Sequence, residues 1–167
     1  GTGDLALHKL LPALYHLHRE NRLPADTPIF ALARSNRDNA SYLALAERNC
    51  RVQVARSDFS AEAWRSFAQR LQYVAMDASQ SADFGRLAKA LKRSEGRVLV
   101  HYLATTPSLF APIAQNLKIA GLAGPLARIV LEKPLGHSLE SAVAINQAIG
   151  EVFDESRVFR IDHYLGK

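Results

Sequence analysis

The chain has 167 residues, enough for one domain with its own core, and 48% apolar against 22% charged residues is the balance of a folded globular protein, not a disordered one. No apolar run reaches the roughly 18 residues that span a bilayer, and no charged leader precedes an apolar stretch and cleavage site, so no membrane partner is expected. The formal charge of +5 suits an anionic partner, but the basic residues are scattered without an aromatic-interleaved Lys/Arg run, which points to a small phosphorylated ligand and not to nucleic acid.

In chain order, Gly1-Thr2-Gly3-Asp4-Leu5 opens with turn chemistry and no strand before it. From Leu5 to about Asn21, Leu7, Leu10, Leu11, Leu14, Tyr15 and Leu17 recur at helical spacing, with Pro12 inside the run as a source of irregularity. After a connector between Pro24 and Pro28, Ile29 to Ala33 is short and apolar enough for a buried strand, ending in Arg34-Ser35-Asn36-Arg37. Helices are expected from Asn39 to Cys50 and, behind the cap Ser60, to Arg70. The stretch from Val52 to Asp58 has no assignment.

Leu71 to Met76 reads as a strand ending at Asp77, and Ser81 to Arg93 as a helix with Phe84, Leu87, Ala88 and Leu91 on one stripe. Val98 to Ala104 is apolar on both faces, as a central parallel strand would be. Thr105 or Thr106 should cap a helix with Pro107 in its first turn, running to Ala120 before Gly121. Arg128 to Glu132 is a strand, Ser138 caps the last long helix to Gly150, and Arg157 to Ile161 is the final strand. Strand alternates with helix throughout. An α/β domain over 1–167 is predicted, with a mostly parallel sheet and helices on both faces. The single Cys50 cannot form an internal disulfide and no Cys/His spacing suits a metal, so a reducing, cytoplasmic setting is expected.

Ligands of open α/β sheets bind at the carboxyl ends of the strands, which directs attention to the loops there. At Gly3, Asp4 and Leu5 the helix begins, where glycines admit a pyrophosphate and free N–H groups receive it. The run departs from the usual G-x-G-x-x-G spacing, so a plain turn is the alternative. In dinucleotide folds an acidic residue after the second strand takes the ribose 2'-hydroxyl and arginine there accommodates a 2'-phosphate. Arg34 stands in such a place with no carboxylate beside it and Thr2 able to add a hydroxyl, which favours NADP over NAD; a solvated arginine is the alternative.

Asp77 would lie beside the adenosine half of the cofactor, or else initiate a turn. The carbonyls and threonine hydroxyls of Tyr102 to Pro107 would edge a nicotinamide pocket, while His101 reads as a hydrogen-bonded core residue and Trp64 as partial core. Lys133, directly before Pro134, is held extended and reaches over the sheet edge, or is a surface lysine at a turn. The densest chemistry lies in Arg160-Ile161-Asp162-His163-Tyr164-Leu165-Gly166-Lys167. A helix starting near Asp162 would put His163 and Lys167 at i, i+4 and Tyr164 and Lys167 at i, i+3, so three donors converge on one anion while Asp162 faces elsewhere. An ordinary charged loop is the alternative.

These stretches together resemble the coenzyme domain of the glucose-6-phosphate dehydrogenase family. The resemblance rests on Gly3-Asp4-Leu5-Ala6 with Lys9 to Pro12, then Ala33-Arg34-Ser35, Tyr102-Leu103-Ala104, Glu132 to Gly136 and, above all, Arg160 to Lys167. It implies a Rossmann-like doubly wound fold lacking its first strand, and oxidation of glucose 6-phosphate at C1 to the 6-phosphogluconolactone with hydride passing to NADP. By the same resemblance Gly3, Asp4 and Leu5 would border the pyrophosphate, Arg34 the 2'-phosphate and Asp77 the cofactor site. Lys133 would bridge sugar and cofactor, with Pro134 cis. His163, Tyr164 and Lys167 would hold the sugar phosphate, and Asp162 would orient the catalytic base histidine.

Three departures accompany it. The glycine and strand that open the family's nucleotide fingerprint are not present before Gly1; the base histidine belongs to a later β+α domain, which also carries the homo-oligomer surface; and Thr105-Thr106-Pro107 replaces an apolar residue with two prolines. The 167 residues alone are therefore expected to be inactive. The competing expectations are a non-catalytic NADP-sensing or assembly module, and a different NADP oxidoreductase of the same fold.

Overall fold

Five unbroken apolar residues with no turn former, Ile29-Phe30-Ala31-Leu32-Ala33, make the strand β1 (Ile29–Ala33). In the computed structural model, which describes residues 1–92 and 96–162, β1 pairs in parallel with β2 (Leu71–Ala75), from Ile29 opposite Leu71 to Ala33 opposite Ala75. The described residues gather into two compact units, Gly1–Met76 and Asp77 onward.

In the first unit, helix α1 (Leu11–Arg19) is entered through a wider π-type turn, Ala6–Leu10. Pro12 has no N–H to give to the preceding turn, and the first turns loosen where the sequence anticipates irregularity. Leu7, Leu11 and Tyr15, four residues apart, form one buried face. They pack with Tyr42, Ala46 and Cys50 of α2 (Asn39–Gln53) and with Trp64 and Phe67 of α3 (Ala61–Ala68). Asp38 caps α2 by accepting the Ser41 N–H at 2.7 Å, and Ser60 caps α3 by accepting that of Ala63 at 3.1 Å.

Tyr15 is fully buried, yet its hydroxyl is satisfied: it donates to the Asp58 carbonyl at 3.3 Å and accepts the Ser60 N–H at 3.0 Å. The open stretch Val52 to Asp58 is thus the end of α2 followed by turns. Buried Cys50 has its thiol pushed up to about 12 by desolvation.

The second unit runs α4 (Ser81–Leu91), β3 (Leu99–Leu103), α5 (Phe110–Ile119), β4 (Ala127–Glu132), α6 (Leu139–Gly150) and β5 (Val158–Ile161). Its sheet has the order β3-β4-β5, all parallel. Ala127, Ile129 and Leu131 alternate inward along β4. Gly121, at φ 72°, ends α5 in the left-handed region that an L side chain resists. Ser138 and Ser141 exchange backbone N–H bonds in a capping box at the start of α6.

Two expectations are corrected. Val98 to Ala104 is apolar on both faces but not buried on both: Leu103 is enclosed, whereas Val100 is 61% exposed, and among the described residues β3 pairs with β4 alone. Thr106 does stand at the N-cap with Pro107 in the first turn, but its side chain makes no capping bond. The Thr106 hydroxyl is taken by Ser108 Oγ at 3.1 Å, and a short 3-10 turn, Pro107–Leu109, precedes the helix. The architecture is the predicted α/β alternation with parallel strands throughout.

Candidate functional site

The candidate groups sit at or just beyond the carboxyl ends of the strands, apart from the N-terminal turn, and each unit carries its own set. In the first unit, Gly1 runs against β1: a Cβ there would lie 2.8 Å from both Ala31 Cβ and the Leu32 nitrogen, so only glycine permits this approach. The Gly1 nitrogen donates to the Leu32 carbonyl. Gly3 and Asp4 are exposed, and a Cβ on Gly3 would meet nothing within 4 Å, which leaves open space where the helix begins. The first N–H groups of a helix have no partner within it, so this is an end able to receive an anion.

Beyond β1, Arg34 is exposed, and no hydrogen bond or ion pair among the described residues engages its guanidinium. Its neighbours, by contrast, are tied down. The Tyr73 hydroxyl, from β2, reaches the Ser35 carbonyl at 2.6 Å, the Ala33 carbonyl at 3.2 Å and Ser35 Oγ at 2.8 Å. The turn is fixed while the Arg34 side chain stays exposed.

In the second unit, Asp77 builds the entry to α4. Its carboxylate accepts from the Ser79 N–H at 2.9 Å and the Ser79 hydroxyl at 2.8 Å, and its own N–H donates to Asp83 at 2.8 Å. That backbone bond, followed by the bond from Arg86, holds the Asp83 carboxyl below its usual range. The turn role left open for Asp77 is realised. His101 is likewise a core residue, its Nε2 donating to the Leu122 carbonyl at 2.8 Å; burial keeps its pKa low. Trp64 is buried in the first unit's core.

At the ends of β4 and β5 the chemistry converges. The Lys133 N–H donates to the Ile161 carbonyl at 3.0 Å, and Lys133 Nζ lies 3.8 Å from Asp162 Oδ2, with the lysine side chain 53% exposed and the aspartate 24%. The Lys133–Pro134 bond is cis, as the family resemblance implies. On the preceding residue, Glu132 accepts the Tyr102 hydroxyl proton; burial first, and that carboxylate second, push the phenol's pKa up. Lysine, carboxylates and phenol thus share one sheet edge.

Arg160 is engaged within the second unit. Its Nε and one terminal nitrogen hold Asn146 at 3.0 and 2.9 Å, and its fork grips Glu155 at 2.6 and 3.1 Å. It anchors β5 to α6 and to the loop before the strand. His163, Tyr164 and Lys167 lie outside the described residues. Sequence reasoning missed the two phenols, Tyr73 and the hydroxyl role of Tyr102, because each acts through a partner on a neighbouring strand or its loop.

Comparison with known proteins places this geometry in a family. The model described as glucose-6-phosphate dehydrogenase, NAD binding domain, matches residues 1–167. Glucose-6-phosphate 1-dehydrogenase of Mycolicibacterium smegmatis is 40% identical over 171 residues, covering 100% of this chain and 34% of that protein. The enzyme of Zymomonas mobilis is 42% identical over 166 residues, covering 99% and 34%.

Among solved structures, glucose-6-phosphate 1-dehydrogenase from Mycobacterium avium superposes with a TM-score of 0.90 at 34% identity, over 99% of this chain and 35% of that one. A glucose-6-phosphate dehydrogenase in complex with its substrate glucose-6-phosphate gives 0.84 at 29% identity, covering 99% and 35%. The chain spans about a third of the length of the relatives it matches.

Proposed function

The chain belongs to the glucose-6-phosphate dehydrogenase family, within its NAD(P)-binding domain, and from that premise we propose that residues 1–167 supply the NADP site and part of the sugar-phosphate site of an enzyme that oxidises glucose 6-phosphate to its 1,5-lactone. The observation that carries the proposal is the pairing of Lys133 with Asp162 at the ends of adjacent strands, a cation and a carboxylate set side by side where open α/β sheets bind their ligands.

The residues fit the cofactor. An uncommitted guanidinium at Arg34 suits a 2'-phosphate, which takes charge-assisted hydrogen bonds in a bidentate fork. The open space at Gly3 suits the pyrophosphate, held by the backbone at Gly3, Asp4 and Leu5. NADP, when bound, supplies the hydride acceptor. Lys133, more than half exposed, donates to substrate and cofactor oxygens. His163, Tyr164 and Lys167 hold the sugar phosphate.

Asp162, set beside Lys133, fixes the tautomer of a base histidine. That histidine is supplied by sequence outside these 167 residues, and the protein acts as a homo-oligomer. Asp77, whose carboxylate also builds the turn into α4, borders the cofactor site.

The test is turnover by the full-length protein. Glucose 6-phosphate with NADP should yield lactone and reduced cofactor in equal amounts, and residues 1–167 alone should yield none. Activity on another sugar phosphate with none on glucose 6-phosphate contradicts the assignment, and lactone formation by residues 1–167 contradicts the division of labour.

A further inference from the structure

Tyr73 holds three separate points of the turn that follows β1. Its hydroxyl has one proton, directed to the Ser35 carbonyl at 2.6 Å with the Ala33 carbonyl at 3.2 Å beside it, and its oxygen lies 2.8 Å from Ser35 Oγ, whose proton it accepts. Those two carbonyls flank Arg34 on either side. The Tyr73 N–H, in turn, donates to Asn39 Oδ1 at 2.8 Å, fixing the far end of the turn where α2 begins. The phenol is itself held: its ring stacks on Tyr42 at 4.9 Å and 21°, and Tyr42 is fully buried. Rigidity therefore runs from the core, through two stacked rings, to the backbone on both sides of Arg34.

The Arg34 side chain is exposed and, among the described residues, uncommitted. A cation on a fixed backbone loses less freedom when it meets a phosphate than one on a free loop, and the saving appears as affinity. We propose that Tyr73 is a positioning residue for cofactor discrimination: it presets the Ala33–Ser35 backbone so that Arg34 is presented to the 2'-phosphate, and it thereby sets the preference for NADP over NAD. The proposal rests on the 2'-phosphate reading of Arg34. Tyr73 touches no part of the nucleotide in this scheme. Its effect is confined to the phosphate that distinguishes the two cofactors.

Titration of the full-length protein with NADP and with NAD tests this in four forms: wild type, Tyr73→Phe, Arg34→Ala and the double variant. Tyr73→Phe keeps the stack on Tyr42 and removes only the hydroxyl. It should weaken NADP roughly five-fold, the scale of one hydrogen bond, with NAD unchanged. In the Arg34→Ala background the same change should alter neither cofactor, because nothing remains to be positioned. Ser35→Ala removes one of the same bonds from the other side and should shift NADP in the same direction, so the idea stays testable if Tyr73→Phe fails to fold. Equal weakening of NADP and NAD by Tyr73→Phe, or an additive double variant, makes Tyr73 merely structural and overturns the proposal. Equal weakening of both by Arg34→Ala overturns the 2'-phosphate reading itself, and the proposal with it.

Discussion

Replacing Asp162 with asparagine separates its part in folding from its part in chemistry. The geometry limits the first. Lys133 Nζ is 3.8 Å away on a side chain that is 53% exposed, and ion pairs so open to water contribute about 0–1 kcal/mol. Asparagine keeps the shape, so loss of the charge on that pair should by itself move urea unfolding by less than about 1 kcal/mol. The proposed effect on turnover is much larger. General acid–base catalysis contributes about 10² to 10⁴ in rate, and a base histidine whose tautomer is no longer fixed loses a large share of that. In the full-length protein, kcat for glucose 6-phosphate with NADP should fall on the order of 100-fold, with KM for the sugar within about three-fold. Initial rates of NADPH formation read both quantities. An unchanged kcat refutes the reasoning. So does a rise in KM matching that of Lys133→Met, because Asp162 would then act by anchoring the lysine and not by orienting a base.

Three further outcomes are expected. His163→Asn in the full-length protein should raise KM for glucose 6-phosphate roughly ten-fold with kcat little changed, as loss of one charge-assisted phosphate contact does; abolished kcat with sugar binding intact would make His163 the base. Phe67→Ala, at a fully buried position against Tyr15 and Trp64, should cost about 3–5 kcal/mol in chemical denaturation, and a loss under about 1 kcal/mol would mean the first unit's core is not closed as described. Acid should weaken the fold through His101 and His18: burial lowers the pKa of each, joined at His18 by Arg70, so the unfolded chain takes up protons first. Stability should fall as pH drops through the ordinary imidazole value of 6.5 and level off only below the lowered folded-state values, with a shallower slope in His101→Gln. Urea midpoints across that range check it, and a gain of stability with acid would contradict it.

What the sequence disclosed follows from which signals are local. β1, β2 and β4 announce themselves as short apolar runs, and Ser60, Ser138 and Gly121 mark helix ends by chemistry that acts within four residues. At Thr106 the cap position is legible but the side chain's partner is a closer contest: Ser108 lies two residues away and takes the hydroxyl. Val100 shows a different limit, since an apolar strand is equally consistent with one covered face or two, and only the packing decides.

The site divides along the same line. Arg34 and Lys133 stand out as candidates because each follows an apolar run and stands beside a distinctive neighbour, Ser35 or Pro134. Tyr73 does not. Its hydroxyl reaches Ser35, 38 residues earlier, only because β1 and β2 are parallel and in a register that sets Tyr73 opposite Ala31. The Tyr102 bond to Glu132 likewise spans two strands. Arg160 opens the stretch that carries the family resemblance, but its partners, Glu155 and Asn146, are not readable from that stretch.

The most direct test of the account is a crystal structure of the full-length protein with NADP bound. The account predicts the 2'-phosphate against the Arg34 guanidinium, on a turn still held by Tyr73, and the pyrophosphate at the backbone of Gly3 to Leu5. A 2'-phosphate turned into solvent with Arg34 disengaged, or a pyrophosphate bound away from that helix end, would contradict it.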